Sequence, residues 1–152
     1  MDRLSSARIS TTAREYLEAA CIVARSKKEH FQPVYFLFGQ AIELSLKSYL
    51  RAKGYSKQAL LALSHDIAKC LVRAREEGLD ELLKSTDSDR KLVSDLNRHY
   101  RSKDLQYTEV GLKSTYPEID HVEAFANKLF RSISPVADQS LKAHYGKPTA
   151  VV

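Results

Sequence analysis

A chain of 152 residues, 43% hydrophobic and 28% charged with only five Gly and four Pro, has the composition of one globular, helix-favouring domain. No apolar run reaches the ~18 residues of a membrane span, and the opening MDRLSSARIS has no apolar signal core, so membrane and secreted classes are excluded and a cytoplasmic setting is expected. The net charge of +5 leans mildly toward polyanionic partners, nucleic acid first.

Thr12 and Glu15 have capping-box spacing, in which hydroxyl and carboxylate each meet an open backbone donor. They predict a helix to about Lys28 with Ala13, Tyr16, Leu17, Ala20, Val23 and Ala24 as its apolar stripe. Pro33 suits a first helical position and Gly54 a left-handed stop, which brackets a second helix. Ser56 caps a short turn through Leu63. Ser64 caps a third main helix from His65 to Glu77, with Ile67, Ala68, Leu71, Val72 and Ala74 inward and Gly78 as its stop. Leu79 to Leu83 reads as a brief helical connector.

A fourth helix begins around Asp87 to Asp89 and turns Leu92, Val93, Leu96 and Tyr100 inward. The pattern is lost from Ser102 to Tyr116, the longest loop. The last helix starts near Pro117 on Ile119, Val122, Phe125, Ala126, Leu129 and Ile133. Pro135 is expected to bend or break it before a further stretch to about Tyr145. No segment alternates with a period of two, so no sheet is expected. The fold class is all-α, an up-and-down bundle of about five helices over residues 1–146, with 147–152 a frayed tail.

The second helix is apolar nearly all round, from Val34 to Phe38 and on through Ala41, Ile42, Leu44 and Leu46. Yet Gln40, Glu43 and Lys47 fall on one stripe of it. A carboxylate or ammonium buried alone is costly. Glu43 and Lys47 are therefore expected inside, with His65 or the Asn97 to Tyr100 segment facing them. The pair is either a device that fixes helix register or the lining of a pocket where Lys47 binds an anion.

His65 and Asp66 open the third helix, where the dipole favours neutral His and ionised Asp. They form a plain helix start or bring His65 to the polar seam. Arg98, Arg101 and Lys103, interleaved with Tyr100 and Tyr107, resemble a surface that meets phosphates and stacks bases. As cations in a last turn they equally complement the dipole. Arg25 and His30 stand five residues apart, a workable pair for RNA cleavage, with His moving a proton and Arg stabilising phosphate charge, or a chance pairing in a chain with many cations.

No Gly-rich phosphate loop, nucleophile elbow or metalloprotease motif occurs. The five histidines are scattered without ligand spacing, so no metal and no cofactor are expected. Cys21 and Cys70 read as reduced, buried thiols.

The run from Tyr35 to Leu50, YFLFGQAIELSLKSYL, with Gly54 after it, resembles the second helix of HEPN proteins. His65-Asp66-Ile67 is similar to the His-Asp-Leu that opens their next helix. Leu96-Asn97-x-x-Tyr100 with Gln106-Tyr107 is similar to a segment that often ends in Arg-Tyr, and the resemblance covers about residues 12–134. It implies a helical bundle that dimerises and acts in toxin–antitoxin, defence or nucleotide-related systems. Some members are metal-independent RNases with Arg-x4-6-His on a later helix; others partner a nucleotidyltransferase. Here Arg98 and His99 are adjacent, Arg131 has no His at that distance, and Gln106 stands where Arg is frequent. The expected role is therefore non-catalytic: a homodimer that binds RNA or nucleotide or assists a nucleotidyltransferase. The alternatives are an RNase using Arg25 and His30, and a scaffold without ligand.

Overall fold

In the computed structural model, residues 5–26, 31–101 and 116–145 are described, the side chains of Phe31 and of residues 141–145 excepted. Among them are six α-helices: α1 Ser6–Ala24, α2 Phe31–Ala52, α3 Lys57–Ala62, α4 Ile67–Glu76, α5 Asp87–Arg101 and α6 Ile119–Tyr145. A 3-10 turn, Leu79–Glu81, links α4 to α5. The described residues contain no strand, and none of their helices is long and apolar enough to cross a membrane. The fold is all-α, as the periodicity predicts.

Local chemistry explains most boundaries. Ser5, not Thr12, starts α1: its hydroxyl accepts the Arg8 amide at 3.1 Å. Ile9 and Ala13 are both buried, so the inward stripe begins a turn before Thr12. Thr12 lies within the helix and its hydroxyl bonds back to the Arg8 carbonyl. The helix ends at Ala24 rather than near Lys28, capped by the Arg25 amide on the Cys21 carbonyl. Pro33 falls in the first turn of α2, where a missing amide hydrogen breaks no intrahelical bond. Gly54, at φ +100°, ends the segment.

The start of α4 is displaced from Ser64 to Asp66, whose carboxylate accepts the Lys69 amide at 3.0 Å. Its inward stripe is Ile67, Cys70, Leu71 and Ala74 at helical spacing. Val72 is off that stripe and 55% exposed, against the inward position expected for it. Thr86 and Asp89 form a reciprocal box at α5, each side chain accepting the other's amide. Pro135 does not break α6. Ile133 and Ala137, both fully buried, pack on either side of it, and that packing outweighs the lost hydrogen bond.

Helix α2 touches each of the other five helices, which accounts for its lack of a wide polar face. Ser6 of α1 bonds the Ser48 carbonyl near the far end of α2, so these two run antiparallel. Arg25 at the end of α1 meets Glu123 near the start of α6, and Tyr35 near the start of α2 bonds the Pro117 carbonyl just before α6. Thus α1 is antiparallel to both α2 and α6. Phe38, Leu46, Leu50, Leu96, Leu129 and Phe125 fill the core between these elements and α5.

Candidate functional site

A buried carboxylate organises the polar interior. The Glu43 side chain is 3% exposed, and three groups from three parts of the chain converge on it. Lys47, one turn along α2, donates to Oε1 at 2.7 Å. Tyr100 near the end of α5 donates its hydroxyl to Oε2 in a short bond. The His65 ring, just before α4, places Nδ1 3.2 Å from both oxygens. The expected burial of Glu43 and Lys47, faced by His65 and Tyr100, is what the fold builds. Gln40 is half-buried and makes no hydrogen bond to this cluster.

Each partner is itself held. The Lys47 side chain is 12% exposed, and its Nζ also donates to the Ser64 carbonyl at 2.6 Å. Ser64 has a left-handed backbone, φ +52°, uncommon for a residue with a side chain. That conformation is what stops α4 from starting there, and the lysine bond offsets its cost. Tyr100 is buried, its ring edge-on to His65 with centroids 6.2 Å apart. Burial first, then the Glu43 charge and hydrogen bond, push its hydroxyl far above the usual tyrosine range, so it is a fixed donor. Burial likewise pushes the Cys70 thiol up to about 12, which leaves it protonated and inert. Cys21 is only half-buried, in contrast to the buried thiol expected.

Asp66 forms a second junction beside the first. Besides capping α4, its Oδ1 accepts from Asn97 Nδ2 at 3.0 Å, while Asn97 Oδ1 accepts the Ile67 amide at 2.9 Å. Arg101 reaches Asp66 Oδ2 at 3.5 Å with its own side chain 67% exposed. The start of α4 and the end of α5 are therefore pinned together, with Arg98 and Arg101 on the exposed side.

Tyr100 does not share that surface: it points into the core, and His99 beside it is buried and stacked on Tyr116 at 3.8 Å. The reading of Tyr100 as a base-stacking ring is thus corrected, because the core gains more from an aromatic ring than water does. Lys103 and Tyr107 lie outside the described residues, as does His30. Arg25 donates to the Cys21 carbonyl at 3.0 Å and to Glu123 at 2.8 Å. It lines a shallow groove of about 580 Å³ between α1 and α6, with Lys128 and Arg131 nearby. No group of three or more His, Cys, Asp or Glu among the described residues could hold a metal.

Sequence reasoning missed two parts of this site. Gly39 lies against the Tyr100 ring: a Cβ built there would stand 2.6 Å from Cδ2. A glycine inside an otherwise strong helix one turn before Glu43 was the available signal. The Ser64 carbonyl carried no signal, since backbone conformation is not written in residue type. Cys70 is buried as its place among apolar residues predicts.

The HEPN domain family model matches residues 7–133, most of the chain. No curated protein and no solved structure matches it.

Proposed function

The chain belongs to the HEPN domain family, and from that membership we propose a non-catalytic binding or accessory role around RNA, nucleotides or a partner nucleotidyltransferase. Its setting is a cytoplasmic toxin–antitoxin or defence system. The observation that carries this reading is the division of labour among cations. Lys47 is held on Glu43 and Ser64, whereas Arg98 and Arg101 lie at the solvent side of the α4–α5 junction, Arg101 3.5 Å from Asp66. Arg25, the one arginine with ribonuclease-like spacing to a histidine, sits apart from that junction, between α1 and α6 beside Glu123.

Binding of labelled single-stranded RNA, followed by anisotropy in chelator across a salt series, tests this. Affinity falls steeply with salt, because phosphate contacts release counterions. Arg101→Ala weakens binding and flattens the log–log salt slope by about 1, while Arg25→Ala changes little. RNA cleavage in chelator would overturn the non-catalytic role, and an unchanged slope in Arg101→Ala would remove the α5 end from the interface.

The same reading takes the protein as a homodimer joined through α1 or α6. Ile22, a large apolar residue left 71% exposed on α1, serves as the probe of that face. Light scattering at high micromolar concentration gives twice the chain mass, and Ile22→Asp shifts it toward the monomer. A wild-type monomer at that concentration would contradict the dimer.

A further inference from the structure

Two described histidines meet a buried carboxylate, His121 on Asp89 and His65 on Glu43, and His65 is the more exposed of the two. Its side chain is 62% exposed, yet Nδ1 sits 3.2 Å from both oxygens of Glu43. A carboxylate accepts only, so Nδ1 carries the proton, and the ring is held edge-on by Tyr100. With Nδ1 committed inward, Nε2 is the atom that faces solvent. Arg101 is held 3.5 Å from Asp66, the next residue in the chain.

We propose that His65 Nε2, with Arg101, is a proton-linked contact for the phosphodiester of the bound RNA. This deepens the reading above and rests on it. Neutral His65 offers Nε2 as an acceptor, which a phosphate oxygen does not want. Protonated His65 offers a charged N–H donor there, the stronger type of hydrogen bond. The charged groups around the ring are Glu43 and Lys47 from α2, Asp66 at the start of α4 and Arg101 from α5, with Tyr100 edge-on to it. Nδ1 keeps its place on Glu43 in either protonation state, so protonation changes what Nε2 presents.

The sign follows from the chemistry. Phosphodiesters stay singly charged across the imidazole range, so a gain in affinity as pH falls reports the protein. RNA affinity of the wild type rises about tenfold between pH 8 and pH 5.5, the step of one charge-assisted bond. His65→Gln keeps an amide near the Nε2 position but cannot titrate. Its affinity stays flat relative to the wild type, and the difference between the two cancels the other histidines. Because His65 is largely exposed, thermal unfolding of His65→Gln stays near the wild type and establishes that the fold is intact. Imidazole ¹⁵N shifts of the RNA-free protein at pH 7.5 show the proton on Nδ1, and Nε2 moves when RNA is added. An identical pH profile in His65→Gln, or a proton on Nε2 in the free protein, would overturn the proposal while leaving RNA binding standing. A wild type that binds no RNA at any pH in low salt would overturn the binding role itself, and this contact with it.

Discussion

Lys47→Met costs about 3–5 kcal/mol of folding stability, the loss that follows when one partner of a buried ion pair is removed. The expectation rests on geometry: Glu43 is 2% exposed and cannot recover water when the ammonium leaves. Tyr100 and His65 still bond it, but the ammonium charge held on Oε1 is gone. The strained Ser64 carbonyl loses its donor in the same step. Glu43→Gln is costly for the mirror reason. The double variant loses less than the sum, since two neutral side chains of similar length refill the space. Denaturant titration of both singles and the double gives the coupling directly. Singles that each cost under about 1 kcal/mol, with no coupling, would show that water reaches the pair.

Gly39→Ala runs against the usual rule. In a helix interior alanine is favoured over glycine by about 1 kcal/mol. Here the new methyl would meet Tyr100 at 2.6 Å from Cδ2 and 2.9 Å from Cε2. A ring that must keep its hydroxyl on Glu43 and its face toward Phe36 has little room to yield. Net destabilisation of about 1–3 kcal/mol is expected, the range of overpacked cores. Gly39→Ala combined with Tyr100→Leu relieves the clash, so the alanine then costs less than it does alone. Stabilisation by Gly39→Ala in the wild-type background would mean that Tyr100 is not seated against α2.

Much of this was legible in the sequence, and the reasons are specific. The unbroken apolar run around Phe38 and Leu46 identified α2 as central, since only a helix touched on all sides lacks a polar face. Glu43 and Lys47 stood out because buried charges require partners. The His-Asp step and the Asn97 to Tyr100 segment supplied polar groups at the right places to meet them. The failures are equally physical. Thr12 has a cap pattern, but Ser5 offers the same hydroxyl where the buried stripe starts. Ser64 matched a cap by type, yet its left-handed backbone hands the role to Asp66. Tyr100 sat among cations in sequence, but the helical period turns it 100° away from its neighbours and into the core. Pro135 was read as a breaker from its missing donor alone, without the weight of Ile133 and Ala137 beside it.

The polar interior thus has a mechanical role with a functional face. Glu43 ties α2 to the end of α5 and to the residue before α4; Asp66 and Asn97 lock the latter two together. What remains outward is a fixed edge carrying His65, Arg98 and Arg101. Under the proposed binding role, rigid placement of these cations lowers the ordering cost of meeting phosphates.

Mapping RNA onto ¹⁵N-labelled protein in chelator is the most direct test. Amide and side-chain shifts should concentrate at residues 65–69 and 97–101, with the RNA recovered intact. Shifts confined to the α1–α6 groove around Arg25 and Arg131, or RNA recovered as fragments, would contradict a non-catalytic binding edge at the α4–α5 junction.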